Sequence, residues 1–184
     1  MSNQSLVELL GWDQVEQVRR LRASRVTQKD SAGLREIGVL VEKQMGRIVD
    51  AFYEHVVQWP ESLEVLQRAG TTIDQLKKTN PNYLRELFRG EFDEQYYESR
   101  LKVGKIHAHI GLTPDLFFSA MSTYLIEVQR IILEANRFNA KKVARLSTAF
   151  IKAINFDCQV ITEAYTQFGL MNQVKAMTQR ISKE

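Results

Sequence analysis

Apolar residues recur at i, i+3, i+4 and i+7 along nearly the whole chain, with almost no strict alternation, which is the periodicity of amphipathic helices and not of strands. Three prolines and nine glycines punctuate that pattern. A short helix is predicted over residues 13–23, and Thr27-Gln28-Lys29-Asp30 then gives a cap-like start to a helical run that continues through Val56. Trp59-Pro60 stops it, because the residue before a proline is pushed out of the α region. Residues 60–68 form the next short helix, Ala69-Gly70-Thr71-Thr72 turns the chain, and another helix begins near Ile73. Inside it, Asn80-Pro81 is a point where the helix either ends or shifts its register. After Gly90-Glu91-Phe92-Asp93, a helix over residues 93–110 ends at Gly111. Thr113-Pro114-Asp115 supplies an N-cap, a first-turn proline and an acid for a helix reaching about Asn136. The last helix starts near Ala140 and meets no breaker before Gly169. The expected fold class is all-α, with no repeat and no flexible linker.

Composition narrows the partners more than the fold. A chain of 184 residues with 44% apolar content can bury one continuous core. The net charge of +3, from 25 basic and 22 acidic residues spread along the chain, gives no reason to expect a nucleic acid partner. The single cysteine, Cys158, cannot form an internal disulfide, so a cytoplasmic location is the expectation. No run approaches the roughly 18 uninterrupted apolar residues of a membrane span, and no secretory leader is visible, so no membrane association is expected. Gly-rich phosphate loops, H-E-x-x-H, a nucleophile elbow and cysteine clusters are all missing, so the chain is not expected to be an enzyme.

Two apolar stripes carry chemistry. Val103, Ile106, His107 and Ile110 share one face of the helix before Gly111, while Lys102, Lys105 and His109 fall elsewhere. Residues two apart on a helix point roughly 200° from each other, so only one of the two histidines can face inward, and that one is His107. On spacing alone it fits either a hydrogen-bonded core histidine or a ligand to a metal. Met45, Ile48, Val49, Phe52, Tyr53 and Val56 form the second stripe, which carries the Tyr53 phenol into apolar surroundings, where its hydroxyl needs a partner.

The segment YYESRLKVGKIHAHIGLTPDLFFSAMSTY, from Tyr96 to Tyr124, resembles the signature V-G-x-x-H-x-x-I-G-L-x-P of protoglobins and globin-coupled sensors, and each fixed position is present from Val103 to Pro114. IVDAFYEHVVQWPE and IDQLKKTNPNYLRELFRGEFD resemble two further segments of that family, in the same order. The resemblance implies a globin fold, with an N-terminal helical extension over residues 1–25, a sensor globin domain over 26–170 and a helical tail over 171–184 leading toward an output module. It also implies a haem, held by His107 as proximal ligand; the lack of C-x-x-C-H makes this a noncovalent haem b. Val103, Ile106, Ile110 and Phe117 would line the proximal side, and Phe117 stands where some members have a tyrosine. Val49, Phe52, Tyr53, Leu76 and Thr79 would line the distal side, where O2 or another diatomic gas such as CO or NO binds. The implied function is gas sensing, with signal transfer through a homodimer of the two C-terminal helices. The apolar seam expected to be left uncovered for that dimer comprises Val143, Leu146, Phe150, Ala153, Ile154, Val160, Ile161, Ala164 and Phe168, beside Met121, Leu125, Val128 and Ile132. Two other readings are a haem-free globin used as an interaction module and a free-standing haem globin with redox chemistry on NO and O2.

Overall fold

The computed structural model describes residues 4–181, with side-chain surroundings described as far as residue 173. Nine helices and no strands are found among the described residues: α1 Leu6–Leu9, α2 Gln14–Ala23, α3 Gln28–Glu42, α4 Met45–Val56, α5 Pro60–Ala69, α6 Ile73–Arg89, α7 Glu94–Ile110, α8 Pro114–Ala135 and α9 Ala140–Ile181. Much of the punctuation read from the sequence is used as caps, although Thr113, the expected N-cap of α8, makes no side-chain cap bond. Asp13, Thr27, Thr72 and Asp93 each accept a backbone N–H of the first turn through the side chain, satisfying a donor that has no partner inside the helix. Gly111 ends α7 at φ +69°, a left-handed conformation costly for a residue with a Cβ.

Three local expectations change. The run through Val56 is broken between α3 and α4 at Lys43-Gln44, where no glycine or proline stands and Gln44 makes no side-chain cap. The α6 helix continues straight past Pro81, so the proline costs it one backbone donor but not its identity. Likewise α9 runs through Gly169 to Ile181, absorbing the predicted tail as far as described; residues 182–184 lie outside the described residues.

The helices pack in a crossed arrangement in which α7 lies along α9, α3 against α9 and α6, and α4 against α8 and α6. Gly104 explains how α7 comes so close: a Cβ there would sit 2.4 Å from the Ile161 carbonyl oxygen and 2.7 Å from the Ala164 Cβ. Only a residue without a side chain permits this crossing. The main core joins Leu34, Ile37, Ile48, Leu84, Val128, Phe150 and their neighbours. A second cluster, built on Trp12, Tyr97, Leu101, Phe156 and Phe168, ties the N-terminal helices to α7 and α9. Glu98 of α7 also accepts the Leu6 and Val7 amides at 3.0 and 3.1 Å, so the N-terminal extension is docked onto the globular body.

The main core and, at its C-terminal end, the docked extension together cover the expected seam. Leu146, Phe150, Ala153, Ile154, Val160, Ile161, Ala164 and Phe168 are all buried within one chain, as are Met121, Val128 and Ile132, while Val143 and Leu125 are partly buried against the same core. Among the described residues one helix, α8, is long and apolar enough to cross a membrane, yet its inward side, from Phe117 through Tyr124 to Ile132, is buried in the main core.

Candidate functional site

Helix α7 has two distinct flanks. Tyr97, Arg100, Leu101 and Gly104 are buried, and Gly104 marks where that flank meets α9. Val103, His107 and Ile110 lie on the neighbouring flank and are half-buried, and Ile106 beyond them is 47% exposed. The sequence reading placed Ile106 in a buried stripe; the protein leaves it uncovered, because it lies on nearly the opposite side of α7 from the buried Tyr97, Arg100, Leu101 and Gly104. His109 is exposed, as expected. The His107 ring stands 5.6 Å from the ring of buried Phe117, beside Leu112, Ile161 and Tyr165. Burial, the sole cause, pushes its pKa down to about 4, so the imidazole is neutral near pH 7 and its lone pair is available.

Among the described residues no group of three or more His, Cys, Asp or Glu side chains could hold a bare metal ion. A single neutral imidazole on a half-buried apolar flank suits instead a metal that arrives with ligands of its own, as iron does in a porphyrin. The residues present therefore fit a haem.

Helix α4, packed against α8 and α6, buries Val49 and Tyr53, and Phe52 lies edge-on to Tyr53 at 5.1 Å while stacking on Tyr124 at 4.5 Å. The Tyr53 hydroxyl has a partner, and it is not Thr79. Thr79 is exposed and donates to the Leu76 carbonyl of its own helix at 3.2 Å. Asn80 donates through Nδ2 to the Tyr53 hydroxyl at 3.1 Å and accepts the Tyr124 hydroxyl on Oδ1 at 2.5 Å. Leu76 packs against the main core together with Ile73 and Tyr83.

The family model described as Protoglobin matches residues 15–170. The chain belongs to the protoglobin family. Similarity to individual proteins agrees: the chain is 28% identical over 169 residues to the "Heme-based aerotactic transducer HemAT" of Halobacterium salinarum, a match covering 88% of this chain and 35% of that protein. The chain thus spans about a third of that relative's length. It also superposes on the "globin domain of Geobacter sulfurreducens globin-coupled sensor" with a TM-score of 0.73 at 24% identity, covering 80% of this chain and 95% of that one. The fold is therefore the globin fold.

Sequence reasoning missed the polar centre of this protoglobin. Arg100 and Asp157 are both fully buried, with Nε donating to the carboxylate at 2.6 Å. Tyr96 donates to the same carboxylate at 2.8 Å, Tyr83 donates to its other oxygen, and Arg100 also bonds the Tyr83 carbonyl at 2.9 Å and pairs with Glu86. Burial first, and then the Asp157 charge, raises both phenols well above their usual range, so they stay protonated donors. This network joins α6, α7 and α9 two helical turns before His107. A second tie follows the histidine, where Tyr165 of α9 donates to the Leu112 carbonyl.

Proposed function

We propose that this protoglobin is a haem-based gas sensor that binds haem b noncovalently through His107 and reports the presence of O2 or a related diatomic gas. The observation that carries the reading is the neutral, largely buried His107 imidazole beside Phe117, inside the matched family segment. Haem, when bound, supplies an iron with one open position for O2, CO or NO. His107 would hold the iron, with Val103, Ile106, Ile110 and Phe117 as the apolar wall beside it. Val49, Phe52 and Leu76 would exclude water from the gas, and Tyr53 would offer the hydrogen-bond donor. Such a donor favours a gas that carries partial negative charge when bound, so it discriminates O2 from CO.

Tyr53→Phe is expected to speed O2 release by about two- to tenfold, from a hydrogen bond worth roughly 0.5 to 1.5 kcal/mol, and to change CO release less. Stopped-flow dissociation of both gases checks this; equal acceleration of the two contradicts the donor role.

The signal would leave the site through α7. Its C-terminal turn, Gly111 to Pro114, leads directly into α8, and Tyr165 ties the same turn to α9. On the outer side of these two helices Phe118, Ile126, Leu133 and Ile151 are exposed, with Ile126 at 64%. Phe118, Ile126 and Leu133 fall within about a quarter of the helix circumference, a face suited to a second copy of the chain. A homodimer through α8 and α9 would then rest on these four residues in place of the buried seam. Light scattering during gel filtration is expected to give twice the 21.3 kDa chain mass for the native protein and a monomer for Ile126→Glu. A native mass near that of one chain contradicts the dimer.

A further inference from the structure

The phenol that faces the ligand does not act alone. We propose that Asn80, itself oriented by Tyr124, is the positioning residue that makes Tyr53 a donor toward bound gas; this rests on the haem-based reading above.

The geometry turns on which way the Asn80 amide faces. Asn80 Oδ1 lies 2.5 Å from the Tyr124 hydroxyl, a separation usual for O–H···O and short for N–H···O, whereas its other terminal atom lies 3.1 Å from the Tyr53 hydroxyl, usual for N–H···O. The amide therefore presents its oxygen to Tyr124 and its NH2 to Tyr53. Tyr124 is almost fully buried and stacked between Phe52 at 4.5 Å and Tyr83 at 6.0 Å, so its hydroxyl has little freedom to point elsewhere. A Tyr53 oxygen that accepts from Asn80 keeps its own proton for another acceptor. Protein acceptors are not found for that proton among the described residues, which leaves it for the ligand side. The Tyr53 phenol is shifted upward by burial and partly back by the Asn80 hydrogen bond, which is consistent with a protonated donor that accepts from the amide.

Asn80, and not the exposed Thr79, lies on the inward side of α6. Ile73, Leu76, Asn80, Leu84 and Leu87 follow one inward stripe of α6, and Thr79 falls outside it. A polar amide in that stripe has a role to fill.

Two measurements test the proposal. The first needs no haem: in 13Cζ-tyrosine NMR of the protein as purified, Asn80→Leu is expected to move the Tyr53 and Tyr124 signals, assigned with Tyr53→Phe and Tyr124→Phe, and to leave that of Tyr97 in place. An unmoved Tyr53 signal overturns the arrangement. In the second, Asn80→Leu is expected to speed O2 release by about two- to tenfold in the presence of Tyr53 and to have no effect in the Tyr53→Phe background. Slower release from Asn80→Leu would show Tyr53 donating to Asn80, and equal acceleration in both backgrounds would show Asn80 acting on the gas directly; either result overturns the proposal. No Soret band in any variant, with the NMR response intact, would overturn the haem reading and the gas role of Asn80 with it, while the hydrogen-bond arrangement stands.

Discussion

Asp157→Ala is expected to lower the unfolding free energy by about 3 to 5 kcal/mol, the usual cost of removing one partner from a buried ion pair. Arg100 is fully buried, and its guanidinium lies 4.4 Å from the Tyr83 ring centre and 4.8 Å from that of Tyr96, so its charge has no route to water once the carboxylate is gone. Glu86 remains as a second partner, but it is partly exposed and contacts only the outer nitrogen. The Tyr83 and Tyr96 hydroxyls lose their acceptor as well, each a buried polar group left without its bond. Urea unfolding followed by circular dichroism checks this, with the midpoint falling at unchanged slope. The paired replacement Arg100→Met with Asp157→Leu is expected to lose much less, because no charge remains stranded. A loss below about 1 kcal/mol for Asp157→Ala would contradict the view that this network clamps α7 between α6 and α9.

Because α7 also carries His107, the same clamp sets the geometry of the proximal site. Arg100 and His107 are seven residues apart, two turns along one helix, and Gly104 between them allows the closest approach to α9. Holding α7 at both the Arg100 network and the Tyr165–Leu112 hydrogen bond leaves the histidine on a segment fixed at each end. The second large effect is accordingly expected at His107 itself, whose removal would take away the ligand proposed for the haem iron.

How much of this was legible in the sequence differs from residue to residue. Helix boundaries at Asp93, Gly111 and Pro114 were readable because capping and left-handed backbone are local chemistry. The choice of His107 over His109 followed from helical geometry alone. The V-G-x-x-H spacing marked the site, but the reason for its glycine, the close approach of Ile161 and Ala164, lies 57 residues or more away along the chain and shows only in three dimensions. Arg100 looked like one more charge on an amphipathic helix, since its partner Asp157 sits far off in an apolar stretch that gives no hint of an ion pair. The α9 seam was assigned to a dimer for a similar reason: nothing local says that Trp12 and Val7 cover its C-terminal half. Asn80 was the one missed residue with a visible signal, a lone amide on the apolar stripe of α6.

The central claim is that one haem binds at His107, and haemin titration of the purified chain, followed at the Soret band, tests it most directly. The native protein and His109→Ala are expected to saturate at one haem per chain with the same spectrum. His107→Ala is expected to lose the saturable band or to shift it, with added imidazole restoring the native spectrum by replacing the missing ligand. A native chain with no saturable Soret band, or a spectrum that depends on His109 and not on His107, would contradict the account.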